Sequence, residues 1–285
     1  MRYFLTGATG FIGGRIATLL RQDGHGVVAL VRSPEKAKKL AEQGVALAKG
    51  DITDPASVRA AMAGSDGVFH VAGWYKIGPG ARSGEGVKIN VEGTRHVLEA
   101  MRDLQIPKGV YTSTLAVFSD THGTLPNETF RYDGPHLSEY DRTKAAAHDI
   151  ADELILEGTA YCWAHVEDVA RAQLLAMEKG KPGETYIIAG PPHTLVEALA
   201  TAEKLTGIAA PKRRASPKLL LGLSRFMSVL EDLRIPVPDS YSSEFLRVSA
   251  GATYLGDNSK AKRTLGYAPR SLEEGLKETL AWLGN

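Results

Sequence analysis

The chain has 285 residues, is 43% hydrophobic and 24% charged, and carries a formal net charge of +1. That length buries a full core as one large domain or two coupled ones, and the ordinary composition excludes disordered, collagenous and fibrous classes. A near-neutral chain offers no field for nucleic acid or an anionic membrane, and the basic run Lys212-Arg213-Arg214 reads as a solvated loop.

The first half alternates short apolar runs with amphipathic stretches. Strands are predicted over 3–6, 26–31, 45–48, 67–71 and 109–113, with helices over 11–22, 34–42, 55–62 and 85–104 between them. That alternation indicates parallel βαβ units and a doubly wound, Rossmann-type α/β sheet, and strands apolar throughout fit a sheet covered on both faces. Helices follow over 138–157 and 167–179, then a strand over 184–189 and a helix over 195–205. The apolar stretch 219–230 is interrupted by Ser224, Arg225 and Ser228, too short and polar to span a bilayer, so it reads as an amphipathic helix. An amphipathic helix over 271–282 closes the chain. The change of character at Gly190-Pro191-Pro192 suggests a dinucleotide-binding domain over 1–190 and a smaller, mostly helical substrate-binding region over 191–285. The single cysteine, Cys162, has no second cysteine to pair with, and no secretory leader precedes the first strand, so a cytoplasmic location is expected.

Thr6-Gly7-Ala8-Thr9-Gly10-Phe11-Ile12-Gly13 follows the first strand and opens the first helix. Gly7 permits a tight turn, Gly10 a close approach to a pyrophosphate, and Gly13 close packing of helix on sheet, while the helix N-terminus supplies free N–H groups. A dinucleotide is therefore expected here. The second strand ends in Val31-Arg32-Ser33, followed by Lys36, Lys38 and Lys39. An acidic residue at this point would bind the ribose 2′-hydroxyl of NAD, whereas Arg32 suits the 2′-phosphate of NADP. NADP is expected, with NAD possible, and a solvated helix start around Arg32 is the other reading. Asp51-Ile52 follows the third strand, where an adenine ring could lie. His70-Val71-Ala72-Gly73 ends the fourth, and its small residues leave room for the cofactor.

Tyr140-Asp141-Arg142-Thr143-Lys144 places a tyrosine and a lysine on one helix face. A nearby ammonium lowers a phenol's pKa towards the range in which it moves protons. By itself the spacing is common. With the glycine turn, His70–Gly73, Asn90-Val91-Glu92-Gly93-Thr94 and Tyr111-Thr112-Ser113-Thr114 in this order, it resembles the extended short-chain dehydrogenase/reductase family, also called the NAD-dependent epimerase/dehydratase family. Within that family it is nearest to the dihydroflavonol-4-reductase-like branch. Asp257–Lys262 and Leu265-Gly266-Tyr267 resemble the family's tail.

The resemblance implies an NADP-dependent oxidoreductase acting on a ketone or secondary alcohol of a small organic molecule. Tyr140 would be the general acid, and Lys144 would tune it and bind the nicotinamide ribose. Thr114, aligned by Ala116-Val117-Phe118, would hold the substrate oxygen, with Ser113 as the fallback. A nucleotide-sugar epimerase or dehydratase with bound NAD, and a non-catalytic dinucleotide sensor, are the alternatives. A homodimer through helices 85–104 and 138–157 is also implied. Asn90 would belong to the helix beneath the site, with a helix N-cap or packing residue as the other reading. Trp74 and Tyr75 suit either the pocket or the core. His165 and Asp168 read as structural, His122, His136 and His148 as surface or loop residues, and no spacing suits a metal.

One segment is missing from this pattern. Gly158 runs directly into Thr159–Val166, a piece that in the family lies beyond a further strand and substrate loop. About 30 residues, one βαβ unit's worth, are absent. The expectation is an omitted segment, and a bare apolar sheet edge beside the pocket if it is truly gone.

Overall fold

The computed structural model describes residues 1–78, 84–154, 159–181, 183–193, 195–210, 216–250 and 252–283. Seven strands form one parallel sheet: β1 (Arg2–Thr6), β2 (Gly26–Val31), β3 (Ala46–Lys49), β4 (Gly67–His70), β5 (Gly109–Thr112), β6 (Thr159–Trp163) and β7 (Thr185–Ala189), in the order β3-β2-β1-β4-β5-β6-β7. The order reverses between β1 and β4, and the crevice outside the carboxyl ends of those strands is where such sheets bind ligands.

Alternation along the strands divides the core in two. Tyr3, Leu5, Val27 and Ala29 face α1 (Phe11–Gln22) and the later α6 (Val166–Lys179). Phe4, Leu30 and Val68 join Val58, Met62 and Val97 from α3 (Pro55–Met62) and α4 (Gly93–Asp103) on the other face. Burial of both faces explains why these strands read as unbroken apolar runs. Each large apolar side chain taken fully out of water stabilises the fold by about 1.5–3 kcal/mol.

Several elements differ from their sequence reading. The stretch 34–42 divides into a 3-10 turn (Pro34–Lys36) and α2 (Lys38–Glu42), where Pro34 sits at a position that tolerates its missing N–H. The helix expected over 85–104 contains a π-helical turn, Val87–Glu92, before α4. The tyrosine helix is α5 (Glu139–Leu154). After β7 come α7 (Leu195–Thr206), α8 (Pro217–Asp232), α9 (Ser243–Val248), α10 (Ser259–Leu265) and α11 (Leu272–Leu283). Ala261, Leu265 and Tyr267 return to the sheet core, so part of the C-terminal region packs into it.

The bare edge expected beside β5 does not occur. Thr159–Trp163 occupies that slot, with five register pairs to β7 and two to β5, so the sheet is continuous. Backbone donors and acceptors in a sheet must be paired, and the available segment pairs them. Gly158, on the other side of the expected gap, and the run Lys212–Arg214 lie outside the described residues.

Two glycines hold the first turn together. Gly7 has φ +74°, and a Cβ there would lie 2.7 Å from the Ala72 nitrogen. A Cβ on Gly13 would lie 2.2 Å from the Gly7 carbonyl oxygen, an impossible contact with backbone. Gly13→Ala is therefore expected to destabilise the fold by about 1–3 kcal/mol, the usual range for overpacking. A lowered denaturation midpoint checks this, and an unchanged midpoint would show that α1 moves off the sheet freely.

Candidate active site

Two adjoining clefts lie at the carboxyl ends of the central strands. The smaller, about 140 Å³, is lined by Gly7, Thr9, Val31, Arg32, Asp51, Ile52 and Ala72, among others. The larger, about 320 Å³, is lined by Phe11, Ile12, Val71, Gly73, Ser113, Thr114, Tyr140 and Lys144, with Thr112, Ala164, Val166 and Val169. Every site residue expected from the sequence thus lines one cleft or the other, except Gly10 and Gly13, which shape the turn between them. No side chain caps the first turn of α1, whose N-cap is Gly10. Arg32 is exposed and makes no hydrogen bond or ion pair with any described residue. Asp51 is engaged locally, accepting from Thr53 N and Oγ1 at 2.9 Å each.

At the other end, Lys144 is 4% exposed. Its ammonium donates to Tyr111 Oη at 2.9 Å and to the Thr112 carbonyl at 3.0 Å, and lies 4.6 Å from the Tyr111 ring centroid. Burial pushes its pKa down to about 8, against an upward pull from Tyr140. Burial likewise pushes the Tyr140 phenol up, opposed by the Lys144 charge and by the neighbouring Thr114 hydroxyl. Thr114 is fixed at the start of a 3-10 turn, Leu115–Phe118, where its hydroxyl accepts from Ala116 N at 3.2 Å. The phenol, the threonine hydroxyl and the ammonium therefore converge on one cleft, each held by neighbours.

The structure gives residues of these motifs a joint role that no local pattern signals. Thr6, His70 and Tyr111 are side-by-side partners on β1, β4 and β5. Thr6 Oγ1 accepts from the Val71 and Ala72 N–H groups at 3.1 Å, so its own hydrogen goes to His70 Nδ1 at 2.7 Å. The ring proton then sits on Nε2 and is donated to Thr94 Oγ1 at 3.0 Å. Burial pushes the His70 pKa down to about 3, so the ring is neutral, and it stacks on Tyr111 at 5.3 Å. This neutral chain props up the phenol that receives Lys144. Gln173 Nε2 donates to Thr112 Oγ1 at 2.7 Å and ties α6 to the same strand end.

Asn90 is buried within the π-helical turn rather than at a helix cap. Its Oδ1 accepts from Trp74 N at 2.7 Å, and its Nδ2 donates to Trp74 O and Thr143 Oγ1 at 3.0 and 2.9 Å. It thereby joins the loop after β4 to α5. On that loop Tyr75 is exposed, its ring edge-on to Tyr140 with centroids 4.8 Å apart, while Trp74 packs over Gly86.

His165 caps α6, and the Asp168 carboxylate accepts from Arg270 N and pairs with its guanidinium, both at 3.0 Å. His122 lies exposed in a loop and His136 in a half-buried loop. His148 corrects the sequence reading: it is buried on α5, where desolvation pushes it down to about 4. Among the described residues no cluster suits a metal ion, and no helix is long and apolar enough to cross a membrane.

Sterol demethylase protein B of Methylococcus capsulatus is 27% identical over 324 residues, covering 99% of this chain and 98% of that protein. That span exceeds the 285 residues here, so the relative carries residues with no counterpart in this chain. The 4-hydroxy-2-methyl-3-oxo-4-farnesyl-3,4-dihydroquinoline-1-oxide ketoreductase of Stigmatella aurantiaca is 29% identical over 326 residues, covering 97% of this chain and 95% of that protein. The crystal structure of gox2253 superposes with a TM-score of 0.83 at 26% identity, covering 99% of this chain and 97% of that one. Residues 3–164 match the model of the NAD dependent epimerase/dehydratase family, and the chain belongs to that family.

Proposed function

We propose that this protein is an NADP-dependent reductase that transfers hydride between nicotinamide and the ketone or secondary alcohol of a small, largely apolar organic substrate. The observation that carries this reading is the environment of Tyr140, which lines one cleft together with the Thr114 hydroxyl and the Lys144 ammonium. The opening turn suits a dinucleotide, because side chains at Gly7 or Gly13 would collide with backbone and nothing caps α1. When bound, the nicotinamide supplies or accepts the hydride.

The chain's own residues position the substrate and move the proton. Thr114 orients the carbonyl oxygen beside the phenol. Tyr140 gives its proton to that oxygen as alkoxide character develops, and Lys144 stabilises the phenolate left behind. Two of the three ammonium N–H bonds are used by Tyr111 and Thr112, which leaves one for a ribose hydroxyl.

Lys144 is the only charged side chain among the described residues lining this cleft. A nucleotide-sugar diphosphate calls for cationic partners, so the lining favours an apolar ketone. The ketoreductase named for the Stigmatella relative supports the same direction. The test is a panel of carbonyl compounds with purified protein. The protein is expected to carry little bound NAD, to bind NADPH more tightly than NADH, and to oxidise NADPH with apolar ketones. Tightly retained NAD, or binding without turnover across the panel, would overturn the reading.

The unpartnered Arg32 beside the smaller cleft gives the cofactor preference a separate check. Arg32→Ala is expected to weaken NADPH binding about 10–100-fold, as for loss of a charge-assisted contact of about 1.5–3 kcal/mol, with NADH binding changed by less than about twofold. Fluorescence titration measures both. Equal losses for the two cofactors would remove Arg32 from 2′-phosphate recognition.

A further inference from the structure

The C-terminal region grips the start of the tyrosine helix through three side chains. Arg247 Nε donates to the Leu137 carbonyl at 3.0 Å, and Tyr254 Oη donates to Asp141 Oδ2 at 3.2 Å. Glu244 Oε1 accepts the N–H of Glu139, the first residue of α5, at 2.7 Å. A carboxylate at a helix N-terminus meets both an unpaired donor and the positive end of the dipole. Glu244 is buried, and its second oxygen accepts the Gly78 N–H at 3.0 Å. Glu244 thereby also hydrogen-bonds to the loop leaving β4.

That loop carries Tyr75, the ring set edge-on to Tyr140. At Gly78 it is pressed against the approach to α9: φ is +101°, and a Cβ there would lie 2.8 Å from Ser242 Oγ. α9 is itself strapped to α8, since Ser243 N and Oγ donate to Glu231 at 2.8 and 2.6 Å and Ser224 Oγ donates to the Ser243 carbonyl at 2.8 Å. One carboxylate thus joins three parts of the chain around the catalytic phenol.

We infer that Glu244 is a positioning residue for Tyr140: by holding the Gly78 and Glu139 amides together, it sets the Tyr75 loop against the tyrosine helix and transmits the placement of α8 and α9 to the proton donor. The inference rests on the reading of Tyr140 as that donor. Glu244→Gln keeps the shape but offers only one acceptor, so one amide loses its partner. Arg247→Met removes a different tether, to Leu137 just ahead of the same helix, and leaves the Tyr75 loop untouched.

The test compares these two variants labelled with 3-fluorotyrosine, with the Tyr140 line in the fluorine NMR spectrum assigned by its loss in Tyr140→Phe. Glu244→Gln is expected to shift the Tyr140 line, and Arg247→Met to leave it in place. With a reducible ketone, Glu244→Gln is expected to lower kcat about 10-fold while NADPH affinity stays within about twofold, the pattern of lost positioning rather than lost binding. In a Tyr75→Ala background the same substitution is expected to add little further loss. An unmoved Tyr140 line in Glu244→Gln, or the same changes in Arg247→Met, would overturn the inference. If no carbonyl compound is reduced at all, the reductase reading falls, while the fluorine comparison still decides the role of Glu244.

Discussion

Tyr140→Phe is expected to lower carbonyl reduction about 10²–10⁴-fold, the usual worth of a positioned general acid, while leaving NADPH affinity unchanged. The substitution removes one oxygen and keeps the ring. The edge-on contact with Tyr75 survives, and so does the shape of the cleft lined by Thr114 and Lys144. The dinucleotide's phosphates and adenine would lie at the glycine turn and the smaller cleft, which the Tyr140 hydroxyl does not line. The oxygen lost is the one beside the Thr114 hydroxyl and facing the ammonium. A loss of kcat and kcat/KM together, with cofactor binding intact, marks an interaction made only in the transition state. Steady-state kinetics beside a direct titration of NADPH measures this split. Turnover within about threefold of the parent protein would remove Tyr140 from the chemistry, because a general acid contributes far more than that.

What the sequence showed and hid follows the range over which each feature is specified. The glycine turn is legible because strand, turn and helix are contiguous, and each glycine answers a local steric demand. Tyr140 and Lys144 are legible because four residues on a helix bring them to one face. The same spacing continued for one more turn reaches His148, which explains why it is buried rather than at the surface. The support beneath Lys144 is not legible. Thr6, His70 and Tyr111 become neighbours only through the registers of β1, β4 and β5, which no single segment encodes. Glu244 is further removed, since its partners Gly78 and Glu139 belong to other elements. Nor did the absence of an expected strand foretell a continuous sheet, because the demand for backbone pairing is met by whichever segment can reach the slot, here Thr159–Trp163.

Lys144→Met carries the second large effect and separates two roles of one side chain. Met has a flexible apolar side chain that fills irregular space, so it suits a slot whose present occupant is 4% exposed. Without the ammonium, only the neighbouring Thr114 hydroxyl opposes the upward push of burial on Tyr140, and the phenol becomes a poorer acid. Reduction is expected to fall about 10²–10³-fold. The pH profile distinguishes this from simple misfolding. In the free protein Lys144 is held down to about 8, so kcat/KM for the cofactor is expected to fall as pH rises through that value, where the charge is lost. The variant has no group to titrate there, and its profile is expected to be flat and low. Stability moves in the opposite sense. The folded pKa of about 8 lies below the ordinary 10.5, so between those values the unfolded chain binds more protons and stability rises with pH. The benefit is complete above 10.5 and lost as pH falls through 8, where the buried charge burdens the fold. Denaturation midpoints followed across this window should climb for the parent protein and lack that climb in Lys144→Met. A parent protein whose activity and stability both ignore the window would show that Lys144 keeps its charge well above 8, and the coupling between its burial and the acidity of Tyr140 would have to be abandoned.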